Sequence, residues 1–196
     1  MRGDAEPETT RGALAFLKMI EQLLHFWFIE TVPAQWWRVD PAFDAKIAER
    51  FSAVHAAAVA GELVAWRVQP RGRLAEILVL DQFSRNLYRG QSKAFSADPM
   101  ALALAQQAVA GNHDASLSLD ERVFLYLPYM HSESRLVHVE AERLFGSLGR
   151  KENMDFELRH KAIIDRFGRY PHRNAALGRS STTEELEFLR QPGSSF

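Results

Sequence analysis

The chain has 196 residues, enough for one domain with a sizeable core, and its hydrophobic fraction of 46% is that of a soluble globule rather than a disordered polymer. Acidic and basic residues nearly cancel at a formal net charge of -1, so no overall field recruits nucleic acid or an anionic membrane. The absence of cysteine excludes disulfides, thiolate chemistry and cysteine-ligated zinc or iron–sulfur sites.

Residues 1–17 carry Asp4, Glu6 and Glu8 and lack a signal-peptide pattern, and no apolar run is long enough to span a bilayer. A cytoplasmic protein is the expectation. Met1 to Thr10 is polar and reads as a loose arm, so the expected division is an arm or helix extension over 1–17 and one helical domain over 18–196. A first helix runs from Ala13 or Lys18 to Phe28, Pro33 stops it, and Trp36 and Trp37 fall in a short connection. Asp40-Pro41 is an N-cap followed by proline at the first helical position, opening a helix that ends at Gly61. Residues 62–72 read as a linker, and a helix over 73–88 follows, closed by Gly90.

Asp98-Pro99 repeats the cap-and-proline signal and opens a helix to Gly111. Asp120 caps a short helix interrupted at Pro128, and a longer one starts at Ser132 with Glu133, Val137, Glu140, Leu144 and Leu148 near one face. A helix over 152–167 aligns Phe156, His160, Ile163 and Phe167 and stops at Gly168, and a capping box from Ser181 to Glu184 starts a last short helix. No alternating stretch of useful length appears. The fold expected is all-α, with seven to eight helices in antiparallel pairs around the 73–88 helix.

Within that helix, at about 100° per residue, Leu74, Ile77, Leu78, Asp81, Ser84, Arg85 and Tyr88 share one arc. Asp81 and Arg85 thus continue a line of core residues, and buried charges must pair or serve a ligand. Gln82, Asn86 and Arg89 form a narrow polar strip beside them, the expected wall of a groove. Arg85, with Asn86 and Arg89, suits the clamping of an anion. Two further stretches point toward this groove: His131 and Glu133 at a helix entrance, and Tyr170-Pro171, a rigid turn presenting His172, Arg173 and Asn174. The aromatic residues Phe26, Trp27, Trp36, Trp37 and Trp66 read as core fillers, or as one wall of a pocket.

Two functions follow. One is a binding module whose groove takes a small anionic ligand or an acidic or C-terminal peptide group, using Asp81, Arg85, Asn86, Arg89, His131, Glu133, Arg173 and Asn174. The other is a hydrolase or related enzyme with acid–base groups among His131, Asp81, Glu133 and His172. No cofactor is expected. His131, Glu133 and His160 make a weak set of nitrogen and oxygen ligands for a divalent metal, although His160 between Phe156 and Ile163 reads better as a core histidine. No phosphate loop, nucleophile elbow or nucleic-acid motif is present.

The segments LLHFWF, the Trp36-Trp37 pair, FLYLPYMHSE, FGRYPHRNAALGR and the terminal PGSSF resemble the bacterial family known as domain of unknown function 924, over roughly residues 19–196. That family's central segment usually reads Asp-Gln-Phe-Pro-Arg-Asn. Asp81, Gln82, Phe83, Arg85 and Asn86 match, and Ser84 stands in place of the proline. The family also commonly has Phe where Tyr170 precedes Pro171-His172-Arg173-Asn174. The resemblance implies a helical fold like that of tetratricopeptide proteins and a shared polar cluster, and it implies no activity, substrate or cofactor.

Overall fold

The computed structural model describes residues 8–195, all helix and connection, with no strand among them. The helices are α1 (Glu8–His25), α2 (Pro33–Trp36), α3 (Pro41–Val59), α4 (Pro70–Leu78), α5 (Ser84–Leu87), α6 (Asp98–Ala110), α7 (Leu119–Met130), α8 (Arg135–Ser147), α9 (Lys151–Phe167) and α10 (Thr183–Leu189). A π-helical segment, Val79–Phe83, joins α4 to α5 in one continuous rod, so these ten α segments make nine helices. Eight were expected at most, and the ninth is α2. Pro33 does not stop a helix here but starts one, as the first residue of α2.

Residues 8–17 lie in α1, and the remainder of the expected loose arm, residues 1–7, falls outside the described residues. The α1 helix ends in a second π segment, Phe26–Glu30, whose turn is closed by Thr31 donating from both its backbone N–H and its hydroxyl to the Phe26 carbonyl. Asp40 caps α3 as its sequence dictates, accepting from the backbone N–H of Ala42 and Phe43. The expected linker over 62–72 is ordered structure instead. Val64–Val68 is a 3₁₀ turn with Trp66 buried, and Pro70 is the first residue of α4. Gly72 permits this close seat, because a Cβ there would collide with the Trp66 carbonyl.

Two further boundaries differ from expectation. Ser118, not Asp120, caps α7, in a reciprocal box with Glu121, and α7 continues through Pro128 to Met130. Pro128 sits in the last turn, where one missing N–H is offset by burial of every residue from Val123 to Met130. The last capping box is shifted by one residue, with Thr182 and Glu185 as its pair.

The rod is central. Leu74, Ala75, Ile77, Leu78, Val79, Leu80 and Phe83 are wholly buried, and α4 packs on α1, α6 and α7 while α5 and the π segment pack on α3. Each fully buried aliphatic or aromatic side chain contributes roughly 1.5–3 kcal/mol. Consecutive packing of α6 on α7, α7 on α8 and α8 on α9 completes the body. Trp27 and Trp66 fill the core as expected, but Trp37 is 59% exposed and Phe156, read as inward, is 46% exposed.

Candidate functional site

The expected pair in the rod is present, and it is the centre of a larger cluster. Asp81 is 1% exposed within the π segment. Its Oδ1 accepts from His131 Nδ1 at 2.7 Å, its Oδ2 from Gln82 Nε2 at 2.6 Å, and Arg85 Nη1 lies 3.2 Å from Oδ1 while donating to the Asp81 backbone carbonyl at 2.7 Å. Gln82 therefore does not line an exposed strip; it is buried and spent on Asp81. Burial alone would raise the Asp81 pKa, but the Arg85 charge and the His131 and Gln82 hydrogen bonds outweigh it and hold the carboxyl well below the usual carboxylate range.

Asp98 joins Arg85 to the distant loop. Arg85 Nη1 and Nη2 grip Asp98 Oδ1 and Oδ2 at 2.9 and 3.0 Å, and Arg173 Nη1 reaches Oδ2 at 3.2 Å. The expected role of Asp98 as an N-cap is thus not taken: it is the first residue of α6, Ala97 occupies the cap position, and no side chain caps that helix. Its carboxylate is drawn off by two guanidinium groups, which bind it more strongly than a backbone N–H does. Arg173 lies between two rings, 4.7 Å from the Phe95 centroid and 4.6 Å from that of Tyr170.

His131 is the C-cap residue of α7 and keeps 15% of its side chain exposed. Burial, reinforced by the charges of Arg85 and Arg173, lowers its pKa against the pull of Asp81. The His131 ring lies 6.4 Å from that of His160, and the Tyr170 ring 5.8 Å from His160 and 5.6 Å from His172. Burial holds His160 down to about 3, and burial with the Arg173 and Arg85 charges holds His172 down to about 4. Near neutral pH all three are uncharged bases. His160 Nδ1 donates to the Phe156 carbonyl, 2.8 Å away, in the manner of a core histidine.

The other expected ligand residues are committed elsewhere. Glu133 accepts from Arg179 at 2.6 and 2.9 Å and from the Tyr170 backbone N–H at 2.7 Å. Burial would raise its pKa, and the Arg179 and Tyr170 donors lower it on balance. Asn174, 1% exposed, accepts from Arg179 Nε at 2.9 Å and donates to Ser181 at 3.0 Å. Glu133 and Asn174 thus pin the loop after Gly168, a left-handed residue at φ 69°, over the turn between α7 and α8. Asn86 and Arg89 both hold Asp44 of α3, at 2.7 Å for Asn86 and 2.5 and 2.9 Å for Arg89. Of the three arginines expected in one groove, Arg85 and Arg173 meet, and Arg89 is latched to another helix.

A second histidine–carboxylate pair was not foreseen. His138 of α8 meets Glu157 of α9 through Nδ1 at 2.7 Å, both side chains wholly buried, and His138 Nε2 meets the Ser132 carbonyl at 2.9 Å and the Tyr170 hydroxyl at 3.2 Å. Asp44 was missed as well, Asp98 was read only as a cap, and Gln82 was read as groove wall and not as the partner of Asp81. Only Gln82 carried a local signal, its place beside Asp81.

Among the described residues no group of three or more His, Asp or Glu side chains is arranged to hold a metal ion, and Glu133 is spent on Arg179. A cleft of about 550 Å³ lies apart from the cluster, between α2 with Trp37, the start of α7 and the start of α9, lined in part by Trp36, Trp37, Phe124 and Arg150. An ionised carboxylate fixes the Nδ1–H tautomer of His131, and His131 Nε2 makes no hydrogen bond to any described residue, which leaves it a base next to two cations.

None of the curated proteins matches the chain. No helix among the described residues is long and apolar enough to cross a membrane. A solved structure titled as that of a protein of unknown function from Agrobacterium tumefaciens is similar at a TM-score of 0.81 and 35% identity, over 93% of this chain and 99% of that one. The model of a family described as bacterial protein of unknown function, DUF924, matches residues 23–193, and the chain belongs to it.

Proposed function

We propose that the chain is an enzyme of the hydrolase class, acting in the cytoplasm on a small anionic substrate with His131 as general base. The observation that carries this reading is the 2.7 Å contact from His131 Nδ1 to Asp81 Oδ1, with Nε2 left open beside Arg85 and Arg173. Asp81, kept anionic by Gln82 and Arg85, orients the imidazole. His131 Nε2 takes a proton from water, the oxygen attacks an ester or amide carbonyl or a phosphoryl group, and the same proton goes to the leaving atom. Arg173 and the donors of Arg85 not spent on Asp98 meet the substrate's charge.

Helical pairs of the tetratricopeptide kind are part of this proposal, supported by the sequential packing of α6 through α9. The test is a panel of phosphate esters, carboxylic esters and amides, with and without divalent metal, read against His131→Ala and Asp81→Asn. Turnover lost in both variants supports the reading. Turnover equal in parent and variants, or absent throughout, sinks it and leaves a binding module for a small anion or an acidic or C-terminal peptide group, the role that the Arg85–Arg173 pair favours.

A further inference from the structure

We propose that Arg85 and Arg173 form a carboxylate seat that Asp98 of the chain itself fills in this structure, and that a small carboxylate displaces Asp98 to bind beside His131. The inference rests on the site proposed above but not on its turnover. Asp98 follows the cap-and-proline pattern yet caps nothing, and its carboxylate instead bridges arginines 13 residues before it and 75 after it. With Arg85 the geometry is the planar fork of guanidinium on carboxylate, 2.9 and 3.0 Å.

Arg173 is less well supplied. It is 6% exposed, meets Asp98 through one nitrogen at 3.2 Å, and its buried Nε has no acceptor among the described residues. A buried cation with one weak acceptor is an unusual economy of hydrogen bonding, and its remaining capacity points to a ligand. The mouth of the seat reaches solvent, since Arg85 and Asp98 keep 19% and 18% of their side chains exposed.

Charge selects the ligand class. With Asp98 displaced, two arginine charges face the single buried negative charge of Asp81, which leaves room for one negative charge. A monoanionic carboxylate neutralises the seat, whereas a phosphate dianion adds a second negative charge close to Asp81. The internal carboxylate is tethered and therefore competes at high effective concentration, so an external one must gain from the acceptor-poor Arg173.

The experiment titrates acetate and inorganic phosphate, at constant ionic strength, into the parent and Asp98→Asn, read by calorimetry and thermal denaturation. Acetate should bind Asp98→Asn saturably and at least about tenfold more tightly than the parent, the factor expected for removing one charged hydrogen-bonding competitor. Adding Arg173→Gln should abolish that gain, and adding His131→Ala should preserve it. Acetate binding equal in parent and variant, or none, overturns the proposal, and a preference for phosphate overturns the ligand class. Asp98→Ser, a smaller uncharged polar residue at the first position of α6, is the variant to use if Asp98→Asn does not fold. Acetate gain without turnover anywhere leaves the seat standing and the hydrolase reading fallen; His131-dependent turnover without acetate gain does the reverse.

Discussion

Asp81–His131 and Glu157–His138 share one contact, imidazole Nδ1 to carboxylate oxygen at 2.7 Å, and differ in everything around it. Asp81 has Gln82 on its second oxygen and Arg85 against its first, so it stays anionic. Glu157 has no partner for Oε2, both members of its pair are wholly buried, and burial raises its pKa despite the His138 contact. The far nitrogen of His131 is open, while that of His138 is occupied by the Ser132 carbonyl and the Tyr170 hydroxyl. On the function proposed above, the same pair of groups at the same distance serves as a reactive device where donors surround the acid and solvent reaches the base, and as a strut between α8 and α9 where neither holds. Contact distance alone does not separate the two.

The largest test of this contrast crosses the two histidines. His131→Ala should lower turnover on any substrate found by about 10²–10⁴-fold, the usual contribution of a positioned acid–base group. His138→Ala should instead unfold earlier in urea, by about 3 kcal/mol or more, because it leaves a cavity and strands the Glu157 carboxyl and the Ser132 carbonyl. Stability lost in the first variant and turnover in the second would reverse the assignment of roles.

Acid sharpens the contrast next. His160 and His172 are held down to about 3 and about 4 from an ordinary value of 6.5. A histidine with a lowered folded pKa takes its proton readily only on unfolding, so stability present above about pH 6.5 is lost as the pH falls toward 4 and then 3. Each contributes a slope of up to about 1.4 kcal/mol per pH unit in that window. Glu157 acts with the opposite sign: its raised pKa makes the fold lose stability as the pH climbs above about 4.5 through the raised value. Urea midpoints measured across the acid range would show no such loss below pH 6.5 if these histidines titrate normally.

The smallest effect belongs to Glu157→Gln. A protonated carboxyl donating to His138 Nδ1 is mimicked by an amide, so the substitution should change stability by less than about 1 kcal/mol and remove the loss at rising pH. A penalty of about 3–5 kcal/mol would show that the pair is ionic.

How much of this was legible varies by residue. Helix existence followed from caps and periodicity, and Asp40 behaves as its local sequence says because its partners are its own next neighbours. The Asp81–Arg85 relation was legible for the same reason, being one turn apart on one helix. Asp98 was misread because a cap signal is local while its actual partners, Arg85 and Arg173, arrive through tertiary packing. His138 and Glu157 escaped notice because the face assigned to α8 ran through Glu133, Val137, Glu140, Leu144 and Leu148, of which only Leu144 and Leu148 are buried. The buried positions are His138, Ala141, Leu144 and Phe145, a phase set by α7 and α9 on either side.

The π segment Val79–Phe83 has a consequence for how this site can change. A π turn carries one residue more than an α turn, so the run that follows keeps the directions of an unbroken α-helix one residue shorter. Winding Val79–Phe83 as α without shortening the chain would turn every later side chain by about 100°, swinging Arg85 away from Asp98 and Asn86 away from Asp44 without touching either acid. Deleting one residue of the segment would relieve the wide turn and leave those directions in place. The side-chain directions on the far half of the rod are therefore set by the width of one turn, not by the identity of the residues. One wide turn lets a single rod face α6 with Arg85 and α3 with Asn86.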